Sequence, residues 1–417
     1  VKVIIVTSEF PVSSHSFIIN KALSLARRGL DVELVASRPG HRKERGKLEY
    51  DFPKNLKVRY AAQVKNSTLW ALAIIPKALL LGVCFPRETL RLVSLLRRHG
   101  LGSKLFIKQF MKLTPFIGRS ADVIHFDFAS NAVDMEVLFD FFVAKKVVSC
   151  RGSDVSIMPL TDGRLGESLN RVFEKADRVH CVSKEIQFRA SRYGLNPSKV
   201  FINHPAIDTD FFRPEHRNGT SRRIPIIVSV GRLHWVKGYE YALQALQLLY
   251  KKPIPFRYRI IGAGPFEDAV RFAIWELGLS DVVDLLKDQP PVRVRENLQE
   301  ADVFLLTSVS EGLSNSALEA MAMELPVVST LAGGMSEAIT DGLEGFLVKT
   351  RSPEMIAEKL DLLLTDPSLR VRMGKAARQR VERQFILERQ SARFAEEYFK
   401  IVDSPPRKPP ITSLRKS

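Results

Sequence analysis

The chain has 417 residues, and its 63 Lys+Arg against 46 Asp+Glu give a formal charge of +17. Hydrophobic residues make up 45% and charged residues 26%, near the averages for soluble globular chains, which excludes a disordered protein, a collagen and a disulfide-stapled miniprotein. A chain of this length suggests two or three domains that fold without metal or disulfide, and Cys84, Cys150 and Cys181 are too scattered for a zinc cage.

The opening run Val1–Val6 turns polar at Thr7-Ser8-Glu9. It is too short for a signal-peptide core and predicts a first β-strand. A helix is expected over Phe17–Arg28, with Ile18, Ala22, Leu25 and Ala26 on one face. Further β-rich runs follow at Asp31–Ala36, Val123–Phe126, Lys146–Ser149, Arg178–Val182 and Val200–Ile202. Between the second and third runs the character changes. From Lys65 to Arg119 ten basic residues face one acid, Glu88, and they are mixed with the apolar runs Leu69–Ile75 and Leu79–Phe85. Pro76 and Pro86 interrupt this material, so the run of about 20 apolar residues that a spanning helix needs is missing. Apolar surface mixed with cations suits the interface of an anionic bilayer; a helical insertion with a solvated basic face is the alternative.

Arg213–Arg223 holds Pro214, Asn218, Gly219 and Thr220 between charges and reads as an interdomain linker. Strands are then expected at Ile224–Val230, Arg257–Ile261, Val282–Leu285, Val303–Leu306, Pro326–Ser329 and Gly345–Val348, with helical patterns between them. One long helix is expected over Ala376–Ile401, then a basic Pro-rich tail, Pro405–Ser417, of disordered composition. Alternating strands and helices give parallel sheets covered on both faces. The expected fold class is α/β, with two doubly wound domains: residues 1–215 with the basic apolar insertion at 65–119, then 216–380. Residues 381–402 are expected to return to the first domain, and 403–417 to form the tail.

Three strand-to-helix loops of the second half carry the chemistry. Glu311-Gly312-Leu313-Ser314-Asn315-Ser316-Ala317-Leu318-Glu319 follows a strand and opens a helix. Gly312 permits close backbone approach, and Ser314, Asn315 and Ser316 are helix-capping types whose helix start can face an anion. Two carboxylates flanking such a cradle suit hydroxyls on either side of a diphosphate, a ribose and a sugar; the bland alternative is a capping box with a solvated Glu. The loop Gly231-Arg232-Leu233-His234-Trp235-Val236-Lys237-Gly238 places two cations where open α/β sheets bind ligands. Arg232 and Lys237 could neutralise a diphosphate without metal. Gly262-Ala263-Gly264-Pro265 is poor evidence for a dinucleotide, since Glu267 stands where the last fingerprint glycine belongs.

Together these segments resemble the retaining glycosyltransferases of family 4, the group 1 glycosyl transferases of GT-B architecture. The likeness is specific over about Ile224–Leu364 and includes Ala301-Asp302-Val303, Leu325-Pro326-Val327-Val328 and Gly333-Gly334 followed by Glu337. It is looser in the first half, at Phe10-Pro11, Asp122-Val123-Ile124-His125 and Gly152-Ser153-Asp154, and is nearest to members that build exopolysaccharide or lipid-linked glycans. The resemblance implies that Arg232 and Lys237 bind the diphosphate and stabilise the leaving group. Amides at Ser314–Ser316 bind the same phosphates, with Gly231, Gly262, Gly264 and Gly312 in the donor-binding loops. Glu319 holds the ribose hydroxyls, and Glu311 holds the transferred sugar. No metal or other cofactor is implied, and the donor is a nucleotide diphosphate sugar. A glycan or lipid-linked acceptor at the cytoplasmic face of a membrane is expected.

The chain departs from the family at Arg151, where a His is common before Gly-x-Asp, so Arg151 is expected on a donor phosphate or an anionic acceptor. Ala206 also stands where the family usually has Gly. Asp127 at a strand end could help deprotonate the acceptor, with Asp154 as rival; a core-edge role for Asp127 is equally open, and His125 is expected to be structural. Another GT-B enzyme such as a nucleotide-sugar epimerase remains an alternative. A nucleic-acid-binding protein is the other, although no nucleic-acid motif is present.

Overall fold

Val3, Ile4, Ile5 and Val6 are apolar on both faces of a strand, and all four are fully buried, as expected for a parallel sheet covered on both sides. The computed structural model describes residues 1–12, 16–40, 54–61, 79–100, 102–215 and 224–404. The apolar run Leu69–Ile75, most of the expected linker and the tail from Pro405 lie outside the described residues.

The described strands form two parallel sheets. The first contains β1 (Lys2–Phe10), β2 (Asp31–Pro39), β3 (Leu56–Tyr60), β4 (Val123–Phe126), β5 (Lys145–Cys150), β6 (Arg178–Cys181) and β7 (Val200–Ile202), in the order β3-β2-β1-β4-β5-β6-β7. The second contains β8 (Ile226–Val230), β9 (Arg257–Ile261), β10 (Val283–Leu286), β11 (Val303–Leu306), β12 (Val327–Thr330) and β13 (Gly345–Val348), in the order β10-β9-β8-β11-β12-β13. Both are doubly wound. The strand order reverses between β1 and β4 in one sheet and between β8 and β11 in the other. Ligands of open α/β sheets bind beyond the carboxyl ends of the strands at that reversal. The loops after β8 and β11, which carry the cations and the paired carboxylates, are the two that flank it.

Two elements differ from expectation. Strand β3, Leu-Lys-Val-Arg-Tyr, is not among the expected runs: Leu56, Val58 and Tyr60 alternate with Lys57 and Arg59, but the run is only five residues long and lies at the sheet edge. The long terminal helix is broken into Pro367–Gln384 and Leu387–Val402. Ile386 between them is extended and bridges Ile207 in parallel, while the Ile207 amide donates to the Phe385 carbonyl at 2.7 Å. The two crossings between domains thus run side by side, and the apolar pair Phe385-Ile386 serves the crossing rather than a helix face.

Beyond the crossing, helix Leu387–Val402 packs on the first sheet, with Phe394 and Tyr398 in the core beside Ile18 and Ala22. The Tyr398 hydroxyl is hydrogen-bonded to His125 Nδ1 at 2.5 Å. Ser149 Oγ joins His125 Nε2, at 2.7 Å, to His180 Nδ1, at 2.8 Å. His180 Nε2 reaches the Asn203 carbonyl at 2.7 Å. Burial, reinforced by the charges of Lys21 and Arg151, pushes both imidazoles well below the ordinary histidine value. Both nitrogens of each imidazole and both hydroxyls of this relay have partners, so it bonds the returning helix to β4, β5 and β6 without a buried charge. His125 belongs to it and is structural. Among the described residues no helix is long and apolar enough to cross a membrane.

Candidate active site

The β8 loop is held against its neighbours by backbone. Thr307 Oγ1 donates to the Lys237 carbonyl at 3.0 Å, and the Val309 amide to the Val236 carbonyl at 2.8 Å. Gly238 has φ +61°, and a Cβ there would meet the Thr307 carbonyl oxygen at 2.3 Å, so only glycine lets the loop lie on the end of β11. This contact aims Lys237 at the next loop. Its Nζ lies 2.6 Å from Glu311 Oε2, and Ser308 Oγ donates to the same oxygen at 3.1 Å. The pair is only partly buried, with the two side chains 19% and 16% exposed. Arg232 is exposed. On the other side, the Gly231 amide donates to Ile261 and the Leu233 amide to Ala263, each at 3.0 Å. There Gly262 and Gly264 pack on the carbonyls of Gly231 and Leu233, so they join loop to loop.

Helix Asn315–Ala322 starts beside this pair. Ser314 caps it, its hydroxyl accepting from the Ala317 amide at 3.3 Å and lying 3.1 Å from Ser316 Oγ. The amides ahead of Ala317 have no helical carbonyl to bind, and the Oδ1 of Asn315 is buried without a partner. Glu319 lies one turn inside. Its side chain is half-buried, and desolvation is the one cause that pushes its carboxyl up to about 8. A carboxyl in such a recess is suited to a ligand that brings its own donors, such as vicinal hydroxyls.

The first domain meets this site through Arg151-Gly152. A Cβ on Gly312 would meet the Arg151 carbonyl oxygen at 1.9 Å. The close approach at Gly312, expected from sequence to be to a ligand, is therefore to the opposite domain. Ser183 Oγ donates to the Gly312 carbonyl at 3.2 Å. The Lys184 amide donates to Glu337 Oε1 at 2.8 Å, and His204 Nε2 lies 3.0 Å from Glu337 Oε2. Glu337 thus ties the second domain to two segments of the first.

Asp127 and Asp154 require correction as candidate bases. Asp127 is completely buried and ion-paired with Lys21, while Arg151 donates from Nε to its carbonyl at 2.9 Å and lies 3.5 Å from its Oδ1. It sits in a charge cluster beneath the cleft rather than on its wall. Asp154 accepts from the amides of Ala129, Arg151 and Gly152 at 3.0, 3.1 and 2.9 Å. Burial pushes its carboxyl up against these bonds, and it braces the loop instead of facing a substrate. Arg151 is 12% exposed, with its guanidinium 3.9 Å from the Phe17 ring centre.

Several of these residues escaped the sequence reading. Lys21 had a signal: it stands on the apolar face of its helix, between Ile18 and Leu25, where a lysine implies a buried acid. Ser308 had none, since a serine three residues before a glutamate is commonplace, and Glu337, named in the sequence as part of the Gly333-Gly334 turn, gave no sign of its partners Lys184 and His204, which lie more than 130 positions away. The ring of His234 lies between those of Trp235 and Phe266, with centres 5.7 and 5.8 Å away, and this aromatic step at the loop tips also depends on the tertiary fold.

Residues 212–380 match the family described as Glycosyl transferases group 1. The match makes the second half of the chain similar to the group 1 glycosyl transferases. The chain is 28% identical to the amylovoran biosynthesis glycosyltransferase AmsK of Erwinia amylovora, over 91% of this chain and 94% of that one. It is also 28% identical to WcaL of Escherichia coli K12, named as a colanic acid biosynthesis glycosyltransferase, over 90% and 94% of the two chains. Among solved structures, a glycosyltransferase from Rickettsia africae aligns with TM-score 0.66 at 18% identity, covering 97% of this chain and 99% of its own. HepE of Anabaena in complex with UDP-glucose aligns with TM-score 0.71 at 15% identity, covering 96% and 99%. The two parallel-sheet α/β halves are those of the GT-B fold, and the enzyme is a glycosyltransferase.

Proposed function

We propose that the enzyme transfers a sugar, with retention of anomeric configuration and without a metal ion, from a nucleotide diphosphate sugar to a glycan or lipid-linked acceptor in exopolysaccharide assembly. The observation that carries this reading is the convergence of Lys237, Glu311, Glu319 and the start of helix Asn315–Ala322 at the β8–β11 reversal. Arg232, exposed on the same loop as Lys237, completes the set. Breaking the glycosidic bond leaves its electron pair on a departing diphosphate. Fixed cations and amides aimed at that diphosphate stabilise the charge as it develops. In this reading Arg232, Lys237 and the amides around Ser314–Ser316 do so, Glu319 holds the ribose hydroxyls and Glu311 the transferred sugar. Lys237 also orients Glu311 before the sugar arrives. With Asp127 and Asp154 engaged inside the first domain, the acceptor proton passes to the departing diphosphate, which leaves from the face that the acceptor enters. Arg151, beside Gly312, meets the acceptor side.

The relatives support the reading. AmsK and WcaL carry exopolysaccharide names and align over nearly their whole length, and HepE has been solved with UDP-glucose. Thermal-shift screening against nucleotide diphosphates and nucleotide sugars, followed by transfer assays with the donor that stabilises most, tests it. Stabilisation by no nucleotide sugar would reject it.

A further inference from the structure

Helix Pro86–Arg98 buries one face and exposes the other. Leu92 and Leu96 enter the first-domain core beside Leu113, Phe116 and Leu138. The positions that face away, at spacings of three and four, are Arg87, Leu90, Arg91, Ser94, Arg97 and Arg98, and all six are exposed. This stripe holds four arginines and no acid. Glu88, the acid of this helix, turns aside to accept the Gly118 amide at 2.5 Å.

Two neighbouring features give the stripe a chemistry. The first is a cavity of about 590 Å³ lined by Arg91, Ser94, Leu95, Arg98, His99 and Asp140. Arg91 is fixed there by its bond to the Asp140 carbonyl at 2.9 Å, and Lys175 already pairs with the Asp140 carboxylate at 3.2 Å. Two guanidiniums, an imidazole and a hydroxyl around one cavity form a donor set for a phosphate. The second feature is apolar. Residues 79–84 are helical and leave Leu79, Leu80 and Val83 exposed at 64%, 63% and 80%, while Leu90 within the stripe is 69% exposed.

We propose that this face docks the enzyme on an anionic lipid bilayer. The arginines lie among headgroup phosphates, one lipid phosphate occupies the Arg91–Arg98–His99 cavity, and Leu79, Leu80, Val83 and Leu90 enter the acyl boundary. Cations beside exposed aliphatic side chains match an anionic surface with an apolar interior. A nucleic acid or a free phosphate would use the arginines and leave the leucines unused. Surface charge of this kind contributes about a fivefold gain in partitioning per arginine at low salt, so reversing three arginines costs at least about 100-fold.

The test is flotation of the full chain with phosphatidylcholine vesicles and with phosphatidylcholine–phosphatidylglycerol vesicles across a salt series. Binding should need phosphatidylglycerol and weaken with salt. The triple variant Arg87→Glu/Arg97→Glu/Arg98→Glu should stay unbound, and Leu79→Ser/Leu80→Ser/Val83→Ser should weaken binding at every salt concentration. Unchanged melting temperatures exclude unfolding as the cause, and the single variant Arg98→Gln serves if the triple one fails to fold. Equal recovery with both vesicles, no recovery with phosphatidylglycerol at low salt, or flotation of the charge-reversed variant like the parent would overturn the proposal. So would release by inorganic phosphate at matched ionic strength, which would make the cavity a site for a soluble anion. Flotation needs neither donor nor acceptor, so its failure and a failure of the donor assay are separable.

Discussion

Donor affinity should rise with pH because of Glu319. Its carboxyl is pushed up to about 8 by burial and nothing else, so the free enzyme holds it mostly protonated at neutral pH. A ribose that donates two hydroxyls prefers the carboxylate, so binding releases a proton. If the donor binds only the ionised form, its apparent dissociation constant exceeds the limiting value by a factor of 1 + 10^(8−pH). That is about 100-fold at pH 6, about 11-fold at pH 7 and little above pH 9. A nucleotide diphosphate sugar is the right probe, since its diphosphate has no ionisation in this range. His234, whose value is lowered by burial and then by Arg232, adds no titration above neutrality. Calorimetry from pH 6 to 8.5, in buffers of different ionisation enthalpy, should show tighter binding with rising pH and proton release. Glu319→Gln should remove the dependence. The same shift makes a stability prediction. Between the ordinary carboxyl value of 4.5 and about 8 the unfolded chain holds fewer protons than the folded one, so stability falls as pH rises. Glu319→Gln should therefore gain in melting temperature relative to the parent from pH 5 to 8.5. An affinity that is flat with pH, or that keeps its slope in Glu319→Gln, would refute the reasoning.

Arg232→Ala and Lys237→Ala should each lower turnover by about 10²–10³, the usual loss for one stabiliser of transition-state charge, with normal folding by circular dichroism; near-native turnover in either would remove that residue from the leaving-group role. Glu311→Gln should impair transfer and spare binding of the free nucleotide diphosphate, and loss of nucleotide affinity in calorimetry would move Glu311 to another subsite. Lys21→Met should destabilise the first domain by about 3–5 kcal/mol in urea unfolding, because it removes a partner from a buried carboxylate. Adding Asp127→Asn should recover much of that loss, and no recovery would mean that the pair does not carry the cost.

The second domain was the more legible half, for a physical reason. Its chemistry sits in three strand-to-helix loops whose residues are local in sequence, so Lys237, Glu311 and Glu319 could be named before their distances were known. The first-domain candidates depended on which way a strand end faces, and sequence does not fix that. Asp127 follows a four-residue strand whose residues are all buried, so no alternation shows its direction, and its partner Lys21 comes from a helix more than 100 positions earlier. Asp154 was misread because a capping carboxylate and a substrate-facing one have the same local sequence. The break at Phe385-Ile386 was hidden for a similar reason: two adjacent apolar residues within a helical pattern look alike whether they continue the helix or meet a second crossing segment.

The most direct measurement is an NMR time course of product formed from the stabilising nucleotide sugar, with EDTA present throughout. The account predicts full activity and a first-formed product with the anomeric configuration of the donor. An inverted product, or activity that returns only when Mg²⁺ is added, would contradict it.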